Sequence, residues 1–165
     1  MDYLLQGFGV FLGVIAGTFV VILVQKFTVW RQEEQKVKNL KFELDLNIKK
    51  IDGFLEKLTN YRNKANSDNL SNFFDYFDLS RTIWITTNNM FYSGLLYKYL
   101  EYEDIGKLQV VISEFSIYWE NIINGRVEQN KKNLDRQKAI KDIDFWENKF
   151  KRHKKSLDEI LKKLK

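Results

Sequence analysis

From Leu4 to Val24 the chain carries no charged side chain and is apolar at almost every position. With a rise of about 1.5 Å per residue, a helix over this run crosses the hydrocarbon core of a bilayer, about 30 Å thick. A soluble core helix is seldom apolar all round for this length. A cleaved signal peptide needs a basic leading region and a small-residue cleavage site. Here the leading region holds Asp2, and the run leaves through Gln25, Lys26 and Phe27. The pattern predicts a retained single-pass anchor.

After the anchor the apolar positions become periodic. Val37, Leu40, Leu44, Ile48, Ile51, Leu55 and Leu58 recur at spacings of three and four, and Phe42, Leu46 and Phe54 widen the stripe. Nothing between Phe27 and Asp52 stops a helix, so anchor and stripe read as one continuous helix. Asn60 to Asn72 reads as the first loop, with Ser67 or Asp68 capping the element after it. Thr86, Thr87, Asn88 and Asn89 interrupt the ring-dense segment that follows and read as the cap of a helix reaching about Tyr102.

Two further helices are predicted. The first covers about residues 104–130, with Leu108, Val111, Phe115, Trp119 and Ile123 on its apolar side. The second covers about 140–164, with Trp146, Phe150, Leu157, Ile160, Leu161 and Leu164. Ile83–Thr86 and Gln109–Ile112 also admit short strands through their β-branched content, but each lies inside a longer helical period. The predicted class is all-α, a single transmembrane helix followed by a domain of about four to five helices. Its divisions are an anchor over 1–25, a helical connector over 26–37 and an interaction domain over 38–165.

Composition supports that class. The chain has no proline, and only Gly53, Gly94, Gly106 and Gly125 follow the glycines of the anchor, which favours long helices over turn-rich β structure. Cysteine is absent, in keeping with a reducing compartment, and His153 is the single histidine. A His- or Cys-based metal site and a Ser-His-Asp triad are poorly supplied. No phosphate-binding glycine loop or nucleophile elbow is present. The expectation is a protein without catalytic activity, cofactor or metal.

Charge adds direction. All 27 Lys and Arg residues lie beyond the anchor, with Lys26, Arg31, Lys36, Lys38 and Lys41 at its far end. The positive-inside rule then predicts the N-terminus outside and residues 26–165 in the cytoplasm. Residues 126–165 hold 14 basic against seven acidic side chains, concentrated in Arg126–Lys141 and Lys149–Lys155. Such runs suit a solvated helix face, attraction to anionic lipid at about 1 kcal/mol per basic residue, or a site for a phosphorylated ligand or nucleic acid. His153, set among cations, reads as a surface residue.

A phosphorylated ligand also needs hydrogen-bond donors and flat surfaces. Arg81, Trp84, Thr86, Thr87, Asn88 and Asn89 supply that mixture, and a helix starting near Asn88 presents free amides to an anion. Arg62 and Lys64 form a second, smaller candidate. The structural alternative for the same residues puts Trp84 in the core, Thr87 or Asn88 at a cap and Arg81 against Asp78. Within the anchor, Gly9, Gly13 and Gly17 share one face at the spacing that lets membrane helices pack closely, so a homo-oligomer is expected.

This layout, a short anchor joined to a small, basic, helical domain in a Lys/Asn-rich chain, resembles the membrane effectors of type III CRISPR antiphage defence that bind cyclic tetra-adenylate. The resemblance covers the organisation of all 165 residues and no alignable binding motif. It implies a non-enzymatic sensor that binds a cyclic oligonucleotide, oligomerises and perturbs the inner-membrane lipid, with no long nucleic acid as partner. Two other readings remain. A tethered scaffold recruiting a protein needs the Val37–Leu58 stripe or the aromatic segment exposed. A membrane-bound nuclease needs convergence among Asp75, Asp78, Glu101, Glu103, Asp104 and Glu114.

Overall fold

A computed structural model describes the backbone of residues 2–164 and the side chains of 13–164. The described residues form six α-helices and no strand: α1 (Asp2–Asn66), α2 (Ile85–Tyr92), α3 (Leu96–Tyr99), α4 (Tyr102–Glu114), α5 (Ile117–Asn133) and α6 (Arg136–Lys163). The all-α expectation holds, and neither patch of β-branched residues forms a strand. Two compact units divide at Asn39 and Leu40.

In the first unit α1 is long and apolar enough to cross a membrane. Val14, Phe19, Val20, Leu23, Val24 and Trp30 all expose about half or more of their surface. An exposed apolar surface of this extent makes this part of α1 a candidate membrane anchor. A Cβ added at Gly13 or Gly17 meets nothing within 4 Å. Gly9 lies outside the residues whose side chains are described.

The second unit packs around the stripe on α1. Leu40, Leu44, Ile48, Ile51 and Leu58 are buried, whereas Phe42, expected to widen the stripe, is 65% exposed. It lies off the buried face, because buried Leu40, Glu43, Leu44, Asn47 and Ile48 already fill it. Phe54 is the hub of the core, with ring centroids 5.7 Å from Phe150, 6.0 Å from Phe115 and 6.5 Å from Phe77.

Three boundaries differ from the sequence expectation. The predicted loop at Asn60 is helix as far as Asn66, because Tyr61 and Ala65 are buried and continue the apolar face. Asp68 ends this helix and caps no other. It takes a left-handed φ of 54°, and the Asn69 and Asp68 amides donate to the Lys64 and Ala65 carbonyls in a Schellman closure. The helix expected over 104–130 breaks at Phe115 and Ser116, where burial of Phe115 outweighs helical continuity. The helix expected to reach Tyr102 ends at Tyr92, and Gly94 turns the chain with φ +73°.

Between Phe73 and Trp84 the chain is irregular apart from one 3-10 turn, yet Phe73, Phe77 and Leu79 are fully buried. Side chains supply its backbone bonds. From α1, Asn47 pairs with both the N–H and C=O of Ile83, Lys50 donates to the Arg81 carbonyl and Lys57 to that of Tyr76. From α5, Asn124 pairs with both groups of Phe77 at 2.8 and 2.9 Å, and Glu120 accepts from the Ser80 amide and hydroxyl at 2.8 and 2.6 Å. Successive positions of α1 meet successively earlier residues, so the segment runs back along the helix.

Replacing a clamping amide strands two backbone groups at once. Asn47→Ala is expected to destabilise the protein by about 2–3 kcal/mol, and the solvent-facing control Lys49→Ala by less than about 0.5 kcal/mol. Leu134, 67% exposed, closes α5 with φ 52°, a conformation that costs a side-chain-bearing residue about 1 kcal/mol. Leu134→Asn is expected to raise stability by about 0.5–1 kcal/mol, since Asn tolerates this region. Urea unfolding of the detergent-solubilised chain, followed by circular dichroism, checks both.

Candidate ligand-binding site

The anion seat expected at the start of α2 is already filled by the protein itself. Helix α2 begins at Ile85, three residues before Asn88, and the carboxylate of Glu43 on α1 reaches its first turn. The Thr86 amide donates to one Glu43 oxygen at 2.6 Å, and the Thr87 amide and hydroxyl donate to the other at 2.9 and 2.6 Å. Glu43 and Thr87 are both buried. Helix α2 thus has an N-cap borrowed from another helix, where free first-turn amides and the positive end of the helix favour an anion.

The other expected site residues are dispersed or committed. Trp84 is 8% exposed, and its indole donates to the Thr82 hydroxyl. Arg81 is exposed and lies 3.9 Å from Asp78. Arg62 donates to Asp144 and Glu147 on α6, at 2.7 Å each, and these bonds, Asp144 foremost, raise the pKa of its guanidinium. Lys64 is half-buried in the last turn of α1, and Asn88 and Asn89 are exposed. The structural alternative describes Trp84, Thr87 and Arg81, except that Thr87 receives a cap instead of supplying one.

The acids considered for metal chemistry are each engaged by another side chain. Asp75 bonds Asn60, Asp78 pairs with Lys57, Glu103 with Lys107 and Asp104 with Lys163, the last at 2.8 Å. Among the described residues no three His, Asp or Glu side chains form a group that could hold a metal ion.

The second basic run does not lie on one solvated face. His153 is 2% exposed and bonds Glu114 through Nε2, so its reading as a surface residue is overturned by the turn of α6 that faces α4. Lys149 is buried with it. Its ammonium lies 3.2 Å from Glu114 and 3.8 Å from the centre of the Trp119 ring, with Trp146 and Phe145 also beside it. Burial pushes the His153 pKa below its ordinary value. Glu114 pulls it up, while Arg152 and Lys149 add to the lowering.

The cations left outside this cluster make a different site. Lys107 of α4 and Arg152, Lys155 and Ser156 of α6 line a groove of about 510 Å³, with Val110, His153 and Glu159 completing it. Lys107 bonds Glu103 at 2.8 Å, and both Lys107 and Lys155 stand 3.9 Å from Glu159. Arg152 is exposed and has no acidic partner among the described residues. Three basic side chains, one hydroxyl and one carboxylate leave a net positive concavity suited to phosphate oxygens. The basic run announced Arg152 and Lys155. Lys107 sits in a stretch of balanced charge, and only the packing of α4 on α6 brings it in.

No family model, curated protein or solved structure matches the chain.

The buried His153 gives a pH dependence of known sign. Its folded pKa lies below the unfolded value of 6.5, so the unfolded chain takes up the proton first as pH falls. Its contribution to stability is complete above pH 6.5 and is lost as pH drops through that value toward the folded pKa. Thermal melts are expected to show a lower Tm at pH 5.5 than at 7.5, and a smaller difference in His153→Gln.

Proposed function

We propose that this chain is a non-enzymatic, membrane-tethered effector of antiphage defence whose helical unit binds an anionic oligonucleotide messenger. The anchor is the exposed apolar run of α1. The Lys and Arg residues that follow it set the N-terminus outside and the helical unit in the cytoplasm, by the positive-inside rule. The observation that carries the ligand class is the groove between α4 and α6, where the unpaired Arg152 stands with Lys107, Lys155 and Ser156. The messenger implied by the layout of the chain is cyclic tetra-adenylate, whose phosphates these groups would bind.

Ligand can drive assembly only if it binds the assembled state more tightly than the separated one. A cyclic ligand with equivalent phosphates suits a cyclic oligomer around it. In the bilayer, the face of Gly13 and Gly17 is open for helices to approach one another and disturb the lipid.

A second reading, a scaffold for a protein partner, is favoured by one observation. Phe74, Tyr92 and Tyr102 are each more than 80% exposed. The Val37–Leu58 stripe adds only Phe42 to it, because most of that stripe is buried.

Calorimetric titration of the full chain in lipid nanodiscs tests the proposal, with cyclic tetra-adenylate, linear tetra-adenylate and inorganic phosphate as ligands. Saturable binding of the cyclic species is expected, weakened at least tenfold by Arg152→Glu and unchanged by Arg81→Glu. Absence of binding across the three ligands overturns the messenger reading and leaves the scaffold.

A further inference from the structure

A second groove lies between α2 and α4, on the side of α4 away from the basic one. Helical periodicity puts Ile105, Leu108, Gln109 and Ile112 on one face of α4 and Lys107 and Val110 on the other. The groove encloses about 280 Å³, and its floor is formed by Phe91, Leu96, Ile105, Leu108 and Ile112.

Its lining is neutral throughout: ten residues and no charged side chain. No charged side chain is there to pair with an ionised group, so the basic groove and this one select different chemistries. A dry cavity of about 150 Å³ holds a benzene ring, so this volume suits a substituted bicyclic ring.

The polar groups narrow the class further. Asn88 on α2 and Gln109 on α4 each bring a carboxamide to the groove, and neither side chain has a hydrogen-bond partner within the described residues. A carboxamide offers a donor and an acceptor side by side, and it is matched in two bonds by a ring edge bearing an acceptor and a donor. An alkyl chain would cover both amides and satisfy neither, at a cost in lost hydration. Phe91, half-buried, and Tyr92, 84% exposed, provide rings for a flat partner to rest against.

We infer that the α2–α4 groove is a binding site for an uncharged, planar heteroaromatic molecule with a hydrogen-bond donor and acceptor adjacent on one ring edge. The site goes beyond the proposed messenger reading and does not need it. Its ligand is neutral, and its residues are separate from Lys107, Arg152 and Lys155.

The test is a saturation-transfer and calorimetric titration of the full chain in nanodiscs with quinazolin-4-one, a neutral bicyclic lactam, and with 1-octanol as the alkyl control. Saturable binding of the lactam is expected, weakened at least fivefold by Gln109→Ala and by Asn88→Ala. Both positions are exposed, so folding should be unaffected. Ile112→Trp, which fills the groove, should abolish binding, and Arg152→Glu should leave it unchanged. The proposal is overturned by absence of saturable binding, by full affinity in both alanine variants, or by equal binding of octanol.

Discussion

The helical unit depends on a polar ladder along one side of α1. Glu43, Asn47, Lys50 and Lys57 follow one another at intervals of four, three and seven residues, beside the apolar stripe, and each reaches the returning segment between Tyr76 and Thr87. An irregular chain can be buried only if its amides and carbonyls find partners. Here the partners are side chains of α1, completed by Glu120 and Asn124 of α5. The stretch from Phe73 to Trp84 gains the burial of Phe73, Phe77 and Leu79 with no regular structure beyond one 3-10 turn.

This ladder also fills the anion seat that the sequence suggested. The first turn of α2 presents amides to a negative charge, and Glu43 is that charge. An incoming anion would have to displace a buried carboxylate held by three hydrogen bonds. The surplus cations of α6 divide in the same way. Lys149 and His153 turn inward to hold Glu114 at the end of α4, and Arg152 and Lys155 face outward, Lys155 beside Glu159. Both the filled seat and the open groove follow from which polar groups the packing of helices has already satisfied.

Periodicity made the helices legible, because Leu40, Leu44, Ile48, Ile51 and Leu58 are spaced as one buried face. It misjudged the boundaries where a tertiary partner outweighs local preference. Asn60, Asn63 and Asn66 look like a loop by composition, yet Tyr61 and Ala65 among them keep the face apolar. Thr86 to Asn89 look like a cap because their oxygens suit one, but the cap comes from Glu43, 43 positions earlier at the nearest bond. The ladder itself had a trace in the sequence, since Glu43, Asn47, Lys50 and Lys57 lie along one line of the helix. No sequence signal reveals that Lys107 and Arg152 line one groove, because that arises from the packing of α4 on α6.

On the proposed function an anion is received between α4 and α6 and not at the head of α2. Arginine side-chain Nε–Hε resonances report it directly, since Arg81 and Arg152 mark the two places. During titration of the full chain in nanodiscs with cyclic tetra-adenylate, the Arg152 resonance is predicted to shift and saturate while that of Arg81 stays in place. Movement of Arg81 with Arg152 unmoved would contradict the account.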